Sequence, residues 1–208
     1  MEIDVSDGLM LFGVALLDGG EPASLAPETT TIAVRDLAAV AAPAPYQRQN
    51  PEDRDLERHA AVLSTVAERN AVAPAPVGTV FRDRAALVRW IELHYHALHE
   101  SLAYLDGRTV ARVHIVKRDP ASPVEGAALA ARAADVLKNL RAQAAAMVPL
   151  KTEQLTGIVL SGAFLLERDK WGAFTSAVGA AGAAHTDLDI RMTGPWPPYD
   201  FVRLDLGG

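Results

Sequence analysis

The chain has 208 residues, no cysteine, a formal net charge of −6 and a hydrophobic half. This composition excludes a disulfide framework, a cysteine zinc site and a thiol nucleophile, and it offers no run of Lys and Arg for nucleic-acid phosphates. It allows a sizeable core and speaks against disorder, at a length suited to one large domain or two small ones.

An apolar run, Leu9 to Leu17, opens the pattern. Acidic residues precede it where a signal peptide carries a basic region, and it is shorter than the ~20 residues that cross a bilayer. Residues 8–17 therefore read as a buried strand, in a soluble, cytoplasmic protein with no membrane partner. Gly19 to Glu28 reads as a loop, and Thr29 to Val34 as a strand. Leu37 to Ala42 returns as its hairpin partner, and the prolines from Pro43 to Asn50 break the pattern. Residues 52–69 predict a helix with Leu56, Ala60, Leu63 and Ala67 on one face, started by Asn50-Pro51. Two prolines make 71–81 an edge or irregular strand.

Residues 83–105 predict one long helix with Leu87, Ile91, His94, Leu98, Leu102 and Leu105 on one face, flanked by Trp90 and stopped at Asp106-Gly107. A strand over 108–117, a long Ala-rich helix over 124–148, a strand over 157–166, a short helix over 170–181 and a strand over 185–192 follow. The expected fold is α+β in two small domains, 1–106 and 107–208, with a single mixed domain as the alternative. No internal sequence repeat stands out.

Sites for chemistry are few. Glu92, His96 and His99 share a helix face at metal-ligand spacing, but no further ligand accompanies them and the His-Glu-x-x-His order is missing. A solvated helix face is the expected role, and no metal or cofactor is expected. Ser161 sits in Leu-Ser-Gly-Ala without the first glycine of a nucleophile elbow. Gly179 and Gly182 follow a helix where a phosphate loop would open one. Glu167 to Lys170 is a charge run of the kind that caps turns.

The most specific stretch lies near the C-terminus. Residues 193–202, TGPWPPYDFV, hold three prolines and three aromatics. This segment resembles the C-terminal signature of the gas vesicle L/F protein family (GvpL/GvpF). LMLFGVAL, Leu37-Ala38-Ala39-Val40, His59-Ala60-Ala61-Val62-Leu63 and PAPVGTVF (74–81) are similar to family segments in the same order. Pro76-Val77 departs from the family's usual Arg-Phe, which removes a charge and a backbone donor.

The resemblance implies two α+β domains, the first a modified ferredoxin-like fold. It implies an accessory protein of gas vesicle assembly and not an enzyme, with the hydrophobic shell protein and other accessory proteins as partners. A small-molecule-binding or regulatory α+β protein is the alternative function. For the tail, Pro195, Trp196, Pro197, Pro198, Tyr199 and Phe201 are expected either to clamp it on the body or to contact a partner. Prolines reduce the entropy lost on docking, and the aromatics supply buried area.

Overall fold

A computed structural model describes residues 8–17, 24–47, 51–119, 126–151, 157–202 and 204. The chain is mixed helix and antiparallel sheet, in two compact units: Met1–Asp106 together with Pro197–Gly208, and Gly107–Trp196. The chain thus leaves the first unit, builds the second, and returns to the first after Trp196.

The first unit contains β1 (Gly8–Leu16), β2 (Thr30–Val34), β3 (Leu37–Ala44), α1 (Asp53–Ala67), β4 (Val72–Pro74), β5 (Val80–Phe81), α2 (Arg84–Leu93) and α3 (Tyr95–Leu105). Its strands lie in the order β2-β3-β1-β4, with β5 also on β1. β3 runs through Pro43, beyond the expected break, because Thr30↔Ala41 is the last β2 pairing and no β2 acceptor there needs the missing N–H. The two proline-flanked pieces β4 and β5 both line the edge of β1, so the 71–81 segment is the irregular edge its prolines predict.

α1 buries His59, Val62, Leu63 and Val66, a face rotated from the expected one, which leaves Leu56 46% exposed. The 59-62-63-66 spacing also fits a helical stripe, and the β-branched and leucine side chains outweigh alanine in apolar area. The helix starts at Glu52, whose backbone N–H donates to the Asp55 carboxylate at 2.9 Å. Asn50 lies outside the described residues.

The predicted long helix over 83–105 is two helices. At His94 the backbone turns to φ −101° and ψ 10°. The His94 imidazole Nδ1 lies 2.8 Å from the Trp90 carbonyl oxygen, and its ring lies 4.9 Å from the Trp90 ring. The backbone bonds across the bend stay in place, His94 N–H to the Trp90 carbonyl at 3.1 Å and Leu98 N–H to the His94 carbonyl at 3.0 Å, so the imidazole shares an acceptor with its own backbone. The stripe Leu87, Ile91, Leu98, Leu102 and Leu105 is nonetheless buried, as its spacing predicts.

The second unit contains β6 (Arg108–Lys117), α4 (Gly126–Arg141), β7 (Ala146–Pro149), β8 (Ile158–Glu167), a 3-10 turn over Arg168–Lys170, α5 (Trp171–Ala184) and β9 (Leu188–Trp196). The order β7-β8-β6-β9 is that of a split βαβ unit, second-third-first-fourth. The first unit repeats this order, with no helix among the described residues between β1 and β2. A duplicated strand order thus exists where the sequence shows no repeat, because topology constrains which faces are apolar and not which residues cover them.

Three corrections apply here. α4 ends at Arg141, not at 148, and β7 was not expected. Alanines 142, 144, 145 and 146 carry helix propensity, but pairing of Ala146–Pro149 with Gly162–Leu165 overrides it. β9 extends to Trp196 and so takes in half of the tail motif. Its core packs Ala111, Val113, Ile115, Leu129, Val136, Phe164 and Phe174 between sheet and helices.

Candidate functional site

The C-terminal motif divides into two parts with different surroundings. Its first part ends β9. Gly194 has φ +128°, a conformation that L side chains rarely adopt. A Cβ at Gly194 would lie 2.7 Å from the Val110 carbonyl oxygen, 3.0 Å from the Trp171 ring and 3.3 Å from the Trp196 ring. The glycine is therefore the gap that lets two of the three tryptophans flank the strand end. Trp196 pairs in register with Val110 and remains 39% exposed. Its indole N–H donates to the Thr193 hydroxyl at 3.0 Å. The polar atom is thus used within the strand, and the ring face turned to solvent is apolar. Pro195 beside it is exposed too.

The second part belongs to the first unit. Pro197 and Pro198 are buried, and Tyr199 and Phe201 are half-buried. A tight turn follows: the N–H of Tyr199 donates to the Pro197 carbonyl at 2.8 Å, and that of Phe201 to the Pro198 carbonyl at 3.0 Å. Tyr199 packs on the core cluster of Phe12, Val62, Leu63, Val66 and Val72. Leu204 is buried. An apolar groove of about 310 Å³ remains, walled by Pro74, Ala75 and Pro76 on one side and by Tyr199, Val202 and Leu204 on the other. Pro76 opens a hydrogen-bonded turn. The Thr79 N–H donates to the Pro76 carbonyl at 3.2 Å, and Gly78 sits at φ +80°, the geometry a type II turn asks of its third residue.

The expected face of the first helix, Leu56, Ala60, Leu63 and Ala67, leaves out His59. It is 3% exposed, its ring 5.5 Å from that of Phe12, and neither ring nitrogen has a hydrogen-bond partner. The backbone at Ala75 faces it without forming a bond of ordinary geometry. Burial lowers its pKa, and the Ala75 backbone opposes that shift to a smaller degree. The signal was the 59-62-63-66 stripe itself.

The histidine face predicted on the long helix goes elsewhere. His99 pairs with Asp36 at 3.1 Å, and His96 sets its ring edge-on to Tyr95 at 5.5 Å. Glu92 is exposed. The Tyr95 hydroxyl donates to the other Asp36 carboxylate oxygen at 2.7 Å, and the Arg35 guanidinium lies 4.5 Å over the Tyr95 ring. Together these groups fasten the β2–β3 turn, whose Arg35 sits at φ +58°, to α3. The Tyr95 hydrogen bond, foremost, holds the Asp36 carboxyl below its usual range. Its contribution to stability is therefore present above the ordinary pKa of about 4 and is lost as pH falls through the lowered value. Asp36→Asn is expected to flatten acid unfolding below about pH 4, measured by urea titration across pH. An unchanged profile would remove Asp36 from the account.

Ser161 is buried in β8 and bonds to Nδ1 of His114 at 2.8 Å across the strand pair. Burial is the first cause lowering the His114 pKa, with the Arg112 charge second. A serine that is 3% exposed cannot be reached by a substrate, so the pair is a cross-strand polar link. Glu167 and Lys170 form an ion pair across the 3-10 turn.

Two α+β units of split βαβ order, closed by a proline–aromatic segment that returns to the first unit, define the class. The profile described as "Gas vesicle synthesis protein GvpL/GvpF" matches residues 26–125 and 126–203. The chain belongs to the GvpL/GvpF family of gas vesicle proteins. It is similar to gas vesicle protein F2 of Halobacterium salinarum, 28% identical over 210 residues that cover 95% of this chain and 94% of that protein. Gas vesicle protein F1 of the same organism is 27% identical over 189 residues, covering 88% and 84%. The crystal structure of GvpF from Anabaena sp. PCC7120 superposes with a TM-score of 0.79 at 16% identity, covering 96% of this chain and all of that one. That of GvpF from Microcystis aeruginosa gives 0.77 at 18%, covering 95% and all of that chain. At such identities the structural likeness establishes the fold.

Proposed function

We propose that the protein is an accessory factor of gas vesicle assembly, acting in the cytoplasm and at the vesicle by binding the hydrophobic shell protein and other accessory proteins during nucleation or growth. It works by binding and not by catalysis. The observation that carries this reading is the family match over residues 26–203. Deleting the gene in a vesicle-forming cell is expected to abolish or deform vesicles. Normal vesicles would sink the reading.

Within this role the six tail residues divide the work. Pro197, Pro198, Tyr199 and Phe201 seat the returning chain on the first unit, and Pro195 and Trp196 present an apolar surface to a partner. A fixed tryptophan beside a proline is the composition of a binding hot spot, large in area and low in entropy to immobilise. Tyr199→Ala is expected to lower stability by about 1–3 kcal/mol, read from chemical denaturation. Trp196→Ala should change stability by less than about 1 kcal/mol and weaken capture of the shell protein at least tenfold. If Trp196→Ala lowers stability as much as Tyr199→Ala and leaves binding intact, the two roles are reversed.

A further inference from the structure

The groove beside the tail has a buried histidine behind one wall. His59 faces the backbone of Ala75, which lines the groove, and stacks near Phe12, which belongs to the cluster under Tyr199. All of these groups lie in the first unit. Arg58 sets its guanidinium 5.7 Å over the Phe12 ring, and Glu28 lies 3.9 Å from Arg58. Among the described residues no charge offsets the burial of His59.

We propose that His59 is a proton-sensitive prop beneath the C-terminal segment: an imidazolium at this position is buried without a carboxylate or a well-aligned acceptor, and the chain relieves it by loosening the Ala75 wall and the Tyr199–Val202 turn that packs beside it. The physical basis is the cost of a buried, unpaired charge. The neutral ring tolerates burial with a modest penalty, whereas the charged ring needs water. The least costly route to water is a wall made of a short edge strand and a terminal segment, since such elements open at the low end of local stability. The direction follows from linkage. A histidine whose pKa is lowered by folding leaves stability intact above its ordinary pKa of about 6.5 and loses it as pH falls below that value. Asp36 titrates lower still, outside this window. The proposal does not depend on the family reading.

Hydrogen exchange of the full chain, corrected for intrinsic rates, tests this between about pH 7.5 and about pH 5, either side of the ordinary histidine pKa. The amides of Tyr199, Phe201 and Val202, all hydrogen-bonded in the turn, are expected to lose about tenfold or more in protection. Those of Val113 and Phe164 in the second unit respond to His114, whose pKa burial also lowers, so any loss there should persist when His59 is replaced. His59→Phe and the polar but uncharged His59→Gln should each abolish the tail difference. Two results would overturn the proposal: tail protection independent of pH, or an equal tail loss in either folded variant. The wild-type pattern decides by itself if neither variant folds.

Discussion

Gly194→Ala is expected to destabilise the protein by about 3 kcal/mol or more, the sum of backbone strain and overpacking of roughly 1–3 kcal/mol each. The residue sits at φ +128°, and the added methyl would lie 2.7 Å from the Val110 carbonyl oxygen. That oxygen is main chain of a strand paired on both sides, with β8 and β9, so it cannot swing aside as a long side chain would. The Trp171 ring at 3.0 Å closes the other direction. Relief therefore requires β9 to detach at its end, where Trp196 pairs with Val110. Because the tail leaves from that end, exposure of Tyr199 should accompany the loss. Chemical denaturation of purified Gly194→Ala measures the effect. A change below about 1 kcal/mol would mean that the strand end is not built around this glycine.

Phe164→Ala should cost about 3–5 kcal/mol, the range for removing a fully buried aromatic. Phe164 is 0% exposed, and its ring centroid is 5.1 Å from that of Phe174 on α5. It therefore links the central strand β8 to α5, the helix packed on β9. Gly162, two residues earlier on the same face, makes room for it: a Cβ there would meet the Phe164 ring at 3.3 Å and the Met147 methyl at 2.9 Å. The loss should appear in the second unit, and exchange of β6 and β8 amides would locate it there. A loss below about 1.5 kcal/mol would show that the site refills.

Both residues show what the sequence could and could not carry. The apolar runs GLMLFGVALL and GIVLSGAFLL, and the alternation over 108–117, fixed three strands closely, because a strand's burial is written in consecutive residues. The leucine stripe from Leu87 to Leu105 identified the buried face of helix 83–105 but not its bend at His94, which the apolar spacing passes through unchanged. β7 was illegible for the opposite reason. Ala146–Pro149 is short and alanine-flanked, and only pairing with β8 makes it a strand.

The tail was legible in composition and not in partition. TGPWPPYDFV read as one stiff patch, yet the chain passes from β9 into the first unit between Trp196 and Pro197. No local property of ten residues announces that change of surroundings. His59 was likewise present in the sequence as part of a helical stripe, but its lack of a partner follows from what packs on that stripe, a long-range fact. The Glu92, His96 and His99 set had the spacing of a site, and Asp36, some sixty residues earlier in the chain, claims His99 through the fold.

The central claim is that this chain binds gas vesicle components. A pull-down of the recombinant shell protein with the full chain, run beside Trp196→Ala, tests it most directly. The account predicts capture by the wild type and at least tenfold weaker capture by Trp196→Ala with its stability intact. Absence of shell-protein binding by the folded wild type would contradict it.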